Sequence, residues 1–201
     1  MSLITQRPAN KQIPFPPRAN GFTLIEILIT IVISAVLLGI AAPALTNVVQ
    51  FSHVASDVEK LVGAINLARS EAIKSGYGVT MCRSTDQANC STAAAGWESG
   101  WIVFYDPNYN AVVDAGEAVI RAYSPFTNAD TANVPTGNAM TNSVTFFSNG
   151  RPGPTFTGSI ITVCPGGTTA TTNCKYICIN SQGRPRVDTA TQYAADTICG
   201  T

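Results

Sequence analysis

The chain has one histidine, His53, in 201 residues, and no nucleophile with an evident base near it in the sequence. Acid–base and nucleophilic mechanisms need a base within hydrogen-bond reach of the group it activates. A catalytic set is therefore missing, and an enzyme is not expected. Cys-x-x-Cys spacing is also absent, and the lone imidazole lies far from every thiol, so a structural zinc site lacks its usual ligands. Charge is scarce: Asp, Glu, Lys and Arg make up 12% of the chain and balance to a formal net charge of zero, where about a quarter is usual. No global basic field exists, and any attraction to phosphate must come from a local patch. Between Phe22 and Ser56 the only formal charge is Glu26.

That gap in charge encloses a run, Ile27 to Ala42, made almost wholly of Ile, Leu, Val and Ala. At 1.5 Å per residue, Phe22 to Ala42 covers about 30 Å, the thickness of a hydrocarbon core, and the run reads as a membrane helix. A carboxylate within such a segment costs about 2.5–3.5 kcal/mol on insertion scales, so Glu26 needs a partner or a purpose. The segment before Gly21 holds Arg7, Lys11, Arg18 and four prolines but no acidic residue, and its charge favours retention on the cytoplasmic side.

Gly21-Phe22-Thr23-Leu24-Ile25-Glu26, behind a basic segment and ahead of an apolar run with Pro43 near its end, resembles the class III signal of type IV pilins and type II secretion pseudopilins. The resemblance implies cleavage after Gly21 by a prepilin peptidase, methylation of Phe22, and a pairing of Glu26 with the Phe22 ammonium of a neighbouring subunit during assembly. A buried pair of this kind sets register more than it adds stability. It also implies a single-pass inner-membrane protein with a periplasmic domain that later joins a pilus at the cell surface. The expected division is a leader at 1–21, a membrane and filament-core helix at 22–50, and a globular domain at 51–201. Three of the twelve basic residues precede the cut, leaving nine against twelve acidic ones.

Six cysteines in an exported domain point to disulfides. Cys174 and Cys178 share a strand-like run in which four residues span about 13 Å, too far to bond each other. The pairing expected, one of about fifteen that six cysteines allow, is Cys164–Cys174 across a Pro-Gly-Gly turn, Cys178–Cys199 at the tail, and Cys82–Cys90 in a local loop.

Beyond Pro43, Val54, Val58, Leu61, Ile65, Ala68 and Ala72 recur at spacings of three and four, which predicts one buried helical face. The helix is expected from Phe22 to about Lys74, stopped by Gly76 and kinked or loosened at Pro43. Short β-branched or aromatic runs then predict antiparallel strands at 78–82, 101–105, 118–123, 144–148, 160–164, 175–180 and 184–188, with Ser124 to Asn142 as a long surface loop. The helix end Ala68-Arg69-Ser70-Glu71-Ala72 and the segment Gly96-Trp97-Glu98-Ser99-Gly100-Trp101-Ile102-Val103-Phe104 resemble the FimT and related minor pilins, including pseudopilins of the H group. That implies an α+β type IV pilin fold, with Trp97 and Trp101 in core and turn rather than stacked on a ligand.

Two motifs remain. Asp106, Asn108, Asn110, Asp114 and Glu117 fall at positions 1, 3, 5, 9 and 12, the calcium-loop spacing of an EF-hand, but Ala111 replaces the turn glycine and the flanks read as strands. The alternatives are a calcium loop, the one candidate cofactor site in the chain, or a polar hairpin whose side chains cap their own backbone. In Gln182-Gly183-Arg184-Pro185-Arg186, an extended chain puts Arg184 and Arg186 on one face about 7 Å apart, and Pro185 marks an edge strand. The Gly-Arg-x-Arg pattern resembles the C-terminal DNA-binding motif of FimT proteins, which implies a grip on double-stranded DNA by Gly183, Arg184 and Arg186, with Lys175 and Arg151 as helpers. The competing reading is a solvated edge guarded by charge, in a purely structural pilin or pseudopilin that primes or caps a filament. Glu26→Ala is expected to leave the protein inserted and to lower its incorporation into filaments several-fold. Wild-type incorporation, read by immunoblot of sheared filaments, would reject the pairing role.

Overall fold

The structure, a computed structural model, describes residues 21–92, 96–135, 137–166 and 173–195, apart from the side chains of 41–47 and 193–195. Residues 1–20 of the expected leader 1–21, and Cys199, lie outside the described residues.

The first element, α1 (Leu24–Ser75), opens on a side-chain cap. The Thr23 hydroxyl accepts the Glu26 N–H at 3.3 Å, the backbone half of a Thr-x-x-Glu capping box, and Glu26 places negative charge in the first turn. The chain divides into two compact units, Met1–Ala44 and Leu45–Thr201. In the first unit the helix presents exposed Ile, Leu and Val side chains from Leu24 to Ile40. Among the described residues no helix is long and apolar enough to cross a membrane, and the described side chains of this run stop at Ile40.

In the second unit α1 buries the expected stripe, Val54, Val58, Leu61, Ile65, Ala68 and Ala72, with Ala64 between them. The helix ends at Ser75, one residue later than expected. Gly76 takes φ +74°, and its N–H donates to the Ala72 carbonyl at 3.1 Å, the left-handed stop that glycine adopts at least cost.

Two antiparallel sheets follow. The first comprises β1 (Val79–Arg83), β2 (Trp101–Tyr105), β3 (Val119–Tyr123) and β5 (Ser143–Phe146), in the order β3-β2-β1-β5. The second comprises β4 (Thr131–Asn133), β6 (Ser159–Cys164), β7 (Lys175–Ile179) and β8 (Pro185–Thr189), in the order β4-β6-β7-β8. Met81, Val103, Phe146, Ile161, Val163, Ile177 and Ile179 join the helical stripe in one core. Every β1 side chain is buried, because the other face of the first sheet has its own small cluster of Cys82, Ile102 and Phe104, packed by Cys90 and Val113. Trp97 and Trp101 are both fully buried: the Trp97 Nε1–H donates to the Met140 carbonyl at 3.1 Å, and Trp101 stacks on Tyr123 at 5.1 Å.

The segment expected as a surface loop, Ser124 to Asn142, contains β4. Its Thr131 and Asn133 pair with Cys164 and Thr162, and the Ala132 N–H donates to Glu98 Oε2 at 3.0 Å. A three-residue strand whose donor is met by a distant carboxylate carries no apolar alternation to detect. A short second helix, α2 (Ala190–Ala195), also follows β8 unannounced.

Disulfides join Cys82 to Cys90 and Cys164 to Cys174. Cys178 is disulfide-bonded as well, and its expected partner, Cys199, lies outside the described residues. The first bond closes the loop that brings Cys90 onto the Cys82, Ile102 and Phe104 cluster; the second ties β6 to the start of β7. Cys82→Ser with Cys90→Ser, and the matching pair at 164 and 174, are each expected to lower stability by about 2–4 kcal/mol. Urea unfolding of the variants checks this, and unchanged midpoints would show that the loops are held without their staples.

Candidate functional site

The arginine motif lies on a hairpin between β7 and β8, and β8 is the last strand of its sheet among the described residues. One side chain builds the turn. Asn180 Oδ1 accepts the N–H groups of Gln182 and Arg184, each at 3.0 Å, while the Gly183 N–H donates to the Asn180 carbonyl at 2.8 Å and the Asn180 N–H to the Arg184 carbonyl at 3.2 Å. Gly183 sits at φ +74°, and a Cβ there would lie 2.7 Å from Phe146 Cε1 and 2.9 Å from Pro152 Cδ. Glycine is therefore required twice, by the left-handed backbone and by the close approach.

Arg184 precedes the strand, which begins at Pro185 rather than at the arginine itself. It is exposed, and its guanidinium has no hydrogen-bond or ionic partner among the described residues. Arg186 differs. Its Nε and Nη2 donate to Asp188 Oδ2 at 3.1 and 2.9 Å, with Asp188 buried and the arginine side chain 52% exposed. The two arginines expected to act as equal solvent-facing forks are thus unequal, because a carboxylate two residues along the same face claims one of them.

Lys175 does not join the group. The register sets Lys175 against Thr189 and Cys178 against Arg186, so Lys175 stands near the opposite end of the hairpin and, by the pleat, on the opposite face from Arg186. Arg151 does come close. It sits on a tight turn in which the Phe147 N–H donates to the Arg151 carbonyl at 2.9 Å and the Gly150 N–H to the Phe147 carbonyl at 2.8 Å. The Arg69 Nε–H secures that turn from α1 through the Gly150 carbonyl at 2.9 Å. Arg151 is exposed and lines a groove of about 500 Å³ together with Pro152 and, from the β7–β8 hairpin, Ser181.

The calcium spacing resolves into a self-capped hairpin. Asp106 is fully buried; its Oδ2 accepts from the Thr80 hydroxyl at 2.6 Å and the Ala111 N–H at 3.0 Å, and its Oδ1 accepts from the Asn110 N–H at 3.0 Å. Asn108 and Asn110 donate their side-chain amides to Asp114 Oδ2 at 2.8 and 2.7 Å, which holds that carboxyl below its ordinary pKa. Glu117 Oε2 accepts the Asp114 N–H at 3.0 Å. These oxygens are turned onto donors of their own loop, and among the described residues no cluster of acidic, cysteine or histidine side chains could hold a metal. Gly21 and Phe22 precede α1, and Glu26 is exposed in its first turn. Sequence reasoning missed Asn180 and Asp188. An Asn two and four residues before the donors it caps was the available signal for the first.

A long amino-terminal helix whose second half is buried on antiparallel sheets defines the α+β pilin fold. Residues 57–183 match the family described as Type II transport protein GspH, and residues 16–42 match the Prokaryotic N-terminal methylation motif. The chain belongs to the GspH family, the minor pilins and pseudopilins of type IV pili and type II secretion, which are structural proteins and not enzymes. Among solved structures it is similar to the type IV minor pilin FimU of Pseudomonas aeruginosa, at 20% identity and a TM-score of 0.52, over 74% of this chain and 96% of that one. It is also similar to the minor pseudopilin EpsH from the Type 2 Secretion System of Vibrio cholerae, at 11% identity and a TM-score of 0.46, over 68% and 97% of the two chains. No curated protein matches it.

Asn180→Leu is expected to lower stability by about 1 kcal/mol and to speed amide exchange at Gln182 and Arg184. Asn180→Asp, which keeps both acceptors, should restore both. Unchanged exchange in the leucine variant would show that the turn does not depend on this side chain.

Proposed function

We propose that this minor pilin binds double-stranded DNA without sequence preference at the β7–β8 hairpin and serves DNA uptake in natural transformation. The observation that carries the reading is Arg184, an exposed guanidinium without a partner among the described residues, on a pre-shaped hairpin beside the equally exposed Arg151. Guanidinium forks suit phosphate oxygens, and contacts to phosphate carry no sequence information. Arg186 adds its charge at reduced strength, since Asp188 shares its fork. The Gly183-Arg184-Pro185-Arg186 pattern resembles that of FimT proteins, which supports the same reading.

The family itself implies other pilin subunits and a prepilin peptidase as partners, and its methylation motif implies anchoring in the inner membrane before assembly. For this chain we place cleavage after Gly21, the methyl group on Phe22, assembly pairing at Glu26, the anchor at 22–50 and the exposed domain at 51–201. The second reading, a structural pilin or pseudopilin that primes or caps a filament without DNA, is favoured by the Arg186–Asp188 pair, which resembles a charge-protected sheet edge.

Two or three cations on a chain with no net positive charge should give weak binding whose log affinity falls against log salt with a slope of about −2 to −3. Arg184→Gln with Arg151→Gln is expected to remove most of the affinity, Arg186→Gln less, and Lys175→Gln almost none. Fluorescence anisotropy of the full chain in nonionic detergent with a labelled duplex measures this. Undiminished binding by the Arg151 and Arg184 double variant, or no binding by the wild type at low salt, would leave the structural reading.

A further inference from the structure

Resting on the DNA-binding reading above, we infer that the groove beside the β7–β8 hairpin receives unpaired nucleotides, so that the favoured substrate is single-stranded DNA rather than the intact duplex. A duplex presents phosphates on a convex surface and needs only cations to meet it. This site has more than cations. The groove of about 500 Å³ is lined by Phe147, Phe156, Pro152 and Pro154 together with the polar residues Asn149, Arg151 and Ser181. Its volume falls within the range of small-molecule sites, roughly 300–1,000 Å³.

A second hollow of about 260 Å³ adjoins it, sharing Phe147, Gly153 and Phe156 and lined also by Tyr109. Phe147 lines both, half-buried and stacked on the 42% exposed Tyr109 at 4.4 Å with 14° between the planes. The Tyr109 ring lies against the Gly78 backbone, where an added Cβ would come within 2.6 Å of it. Adjoining hollows that share the Phe147 ring, with Tyr109 against it in the second, suit a base stacked on an aromatic side chain, since every base has a π-face and stacking tolerates any sequence.

Charge is placed to match. Arg151 lines the larger hollow, and Arg184 leaves the hairpin next to Gly183, whose backbone closes on Pro152 of the same wall. Phosphates before and after a seated base therefore meet cations. In a duplex the same bases are stacked and paired, and seating them carries the cost of extrusion, which a single strand avoids.

The test compares a fluorescein-labelled strand of about twelve thymidines with a duplex of equal length, by anisotropy at one salt concentration, using the full chain in nonionic detergent. The strand is expected to bind about fivefold or more tightly than the duplex. Phe147→Leu should weaken strand binding about tenfold and leave duplex binding within about twofold. Ser181→Trp, which fills the groove from the turn, should give the same split without touching the aromatic stack. Equal affinity for strand and duplex, preference for the duplex, or strand binding unchanged in both variants would overturn the inference. Duplex binding without strand preference brings down this inference alone, whereas binding of neither form brings down the DNA reading as well.

Discussion

Burial of one stripe of α1 is the constraint on which the globular unit depends. Leu61, Ala64, Ile65, Ala68 and Ala72 are wholly removed from solvent and share a core with residues of β1, β2, β5, β6 and β7. Each large aliphatic side chain buried in this way contributes about 1.5–3 kcal/mol, while the alanines between them let the sheet approach the helix closely. The same helix carries Arg69, whose bond to the Gly150 carbonyl secures the turn bearing Arg151. The position of one exposed cation is therefore set from the helix that forms the core.

Around that core the polar chain is held by side chains acting as backbone partners. Asp106 collects the Thr80 hydroxyl and two loop N–H groups, Glu98 accepts the Gly96 and Ala132 N–H groups, and Asn180 organises the arginine hairpin. Buried backbone groups left without such partners would cost about as much as a lost hydrogen bond each. Carboxylates and amides that sequence spacing offers as ligands are thereby occupied in making loops stand still. The oxygens at the calcium-like spacing are engaged by protein donors, and Asn180 shapes the hairpin that carries Arg184.

The unequal arginines matter for how a weak polyanion site works. Arg186 is partly compensated by Asp188, so the edge keeps charge that guards it against sheet pairing without a large net field. Arg184 and Arg151 have no side-chain partner among the described residues, and Arg151 lines a groove that Phe147 and Phe156 also line. On the DNA-binding reading proposed above, stacking would add to counterion release on a domain whose overall charge is unfavourable to nucleic acid.

Much of this was legible in the sequence because it rests on local periodicity and chemistry. The stripe from Val54 to Ala72 follows helical spacing, the main strands fall within a residue or two of their β-branched runs, and Cys82–Cys90 and Cys164–Cys174 close loops short enough to read directly. Gly21 to Glu26 carries the methylation signal in its own residues. What only the tertiary structure decided depends on partners far apart in the chain or on register. β4 exists because β6 and Glu98 satisfy it; Lys175 is turned from the arginines by its pairing with Thr189; Asp106 accepts from Thr80; and Gly183 is brought against Pro152 from another hairpin. Spacing along a chain states which side chains could cooperate, but a hydrogen-bond donor or a ring arriving from another element decides which of them remain available.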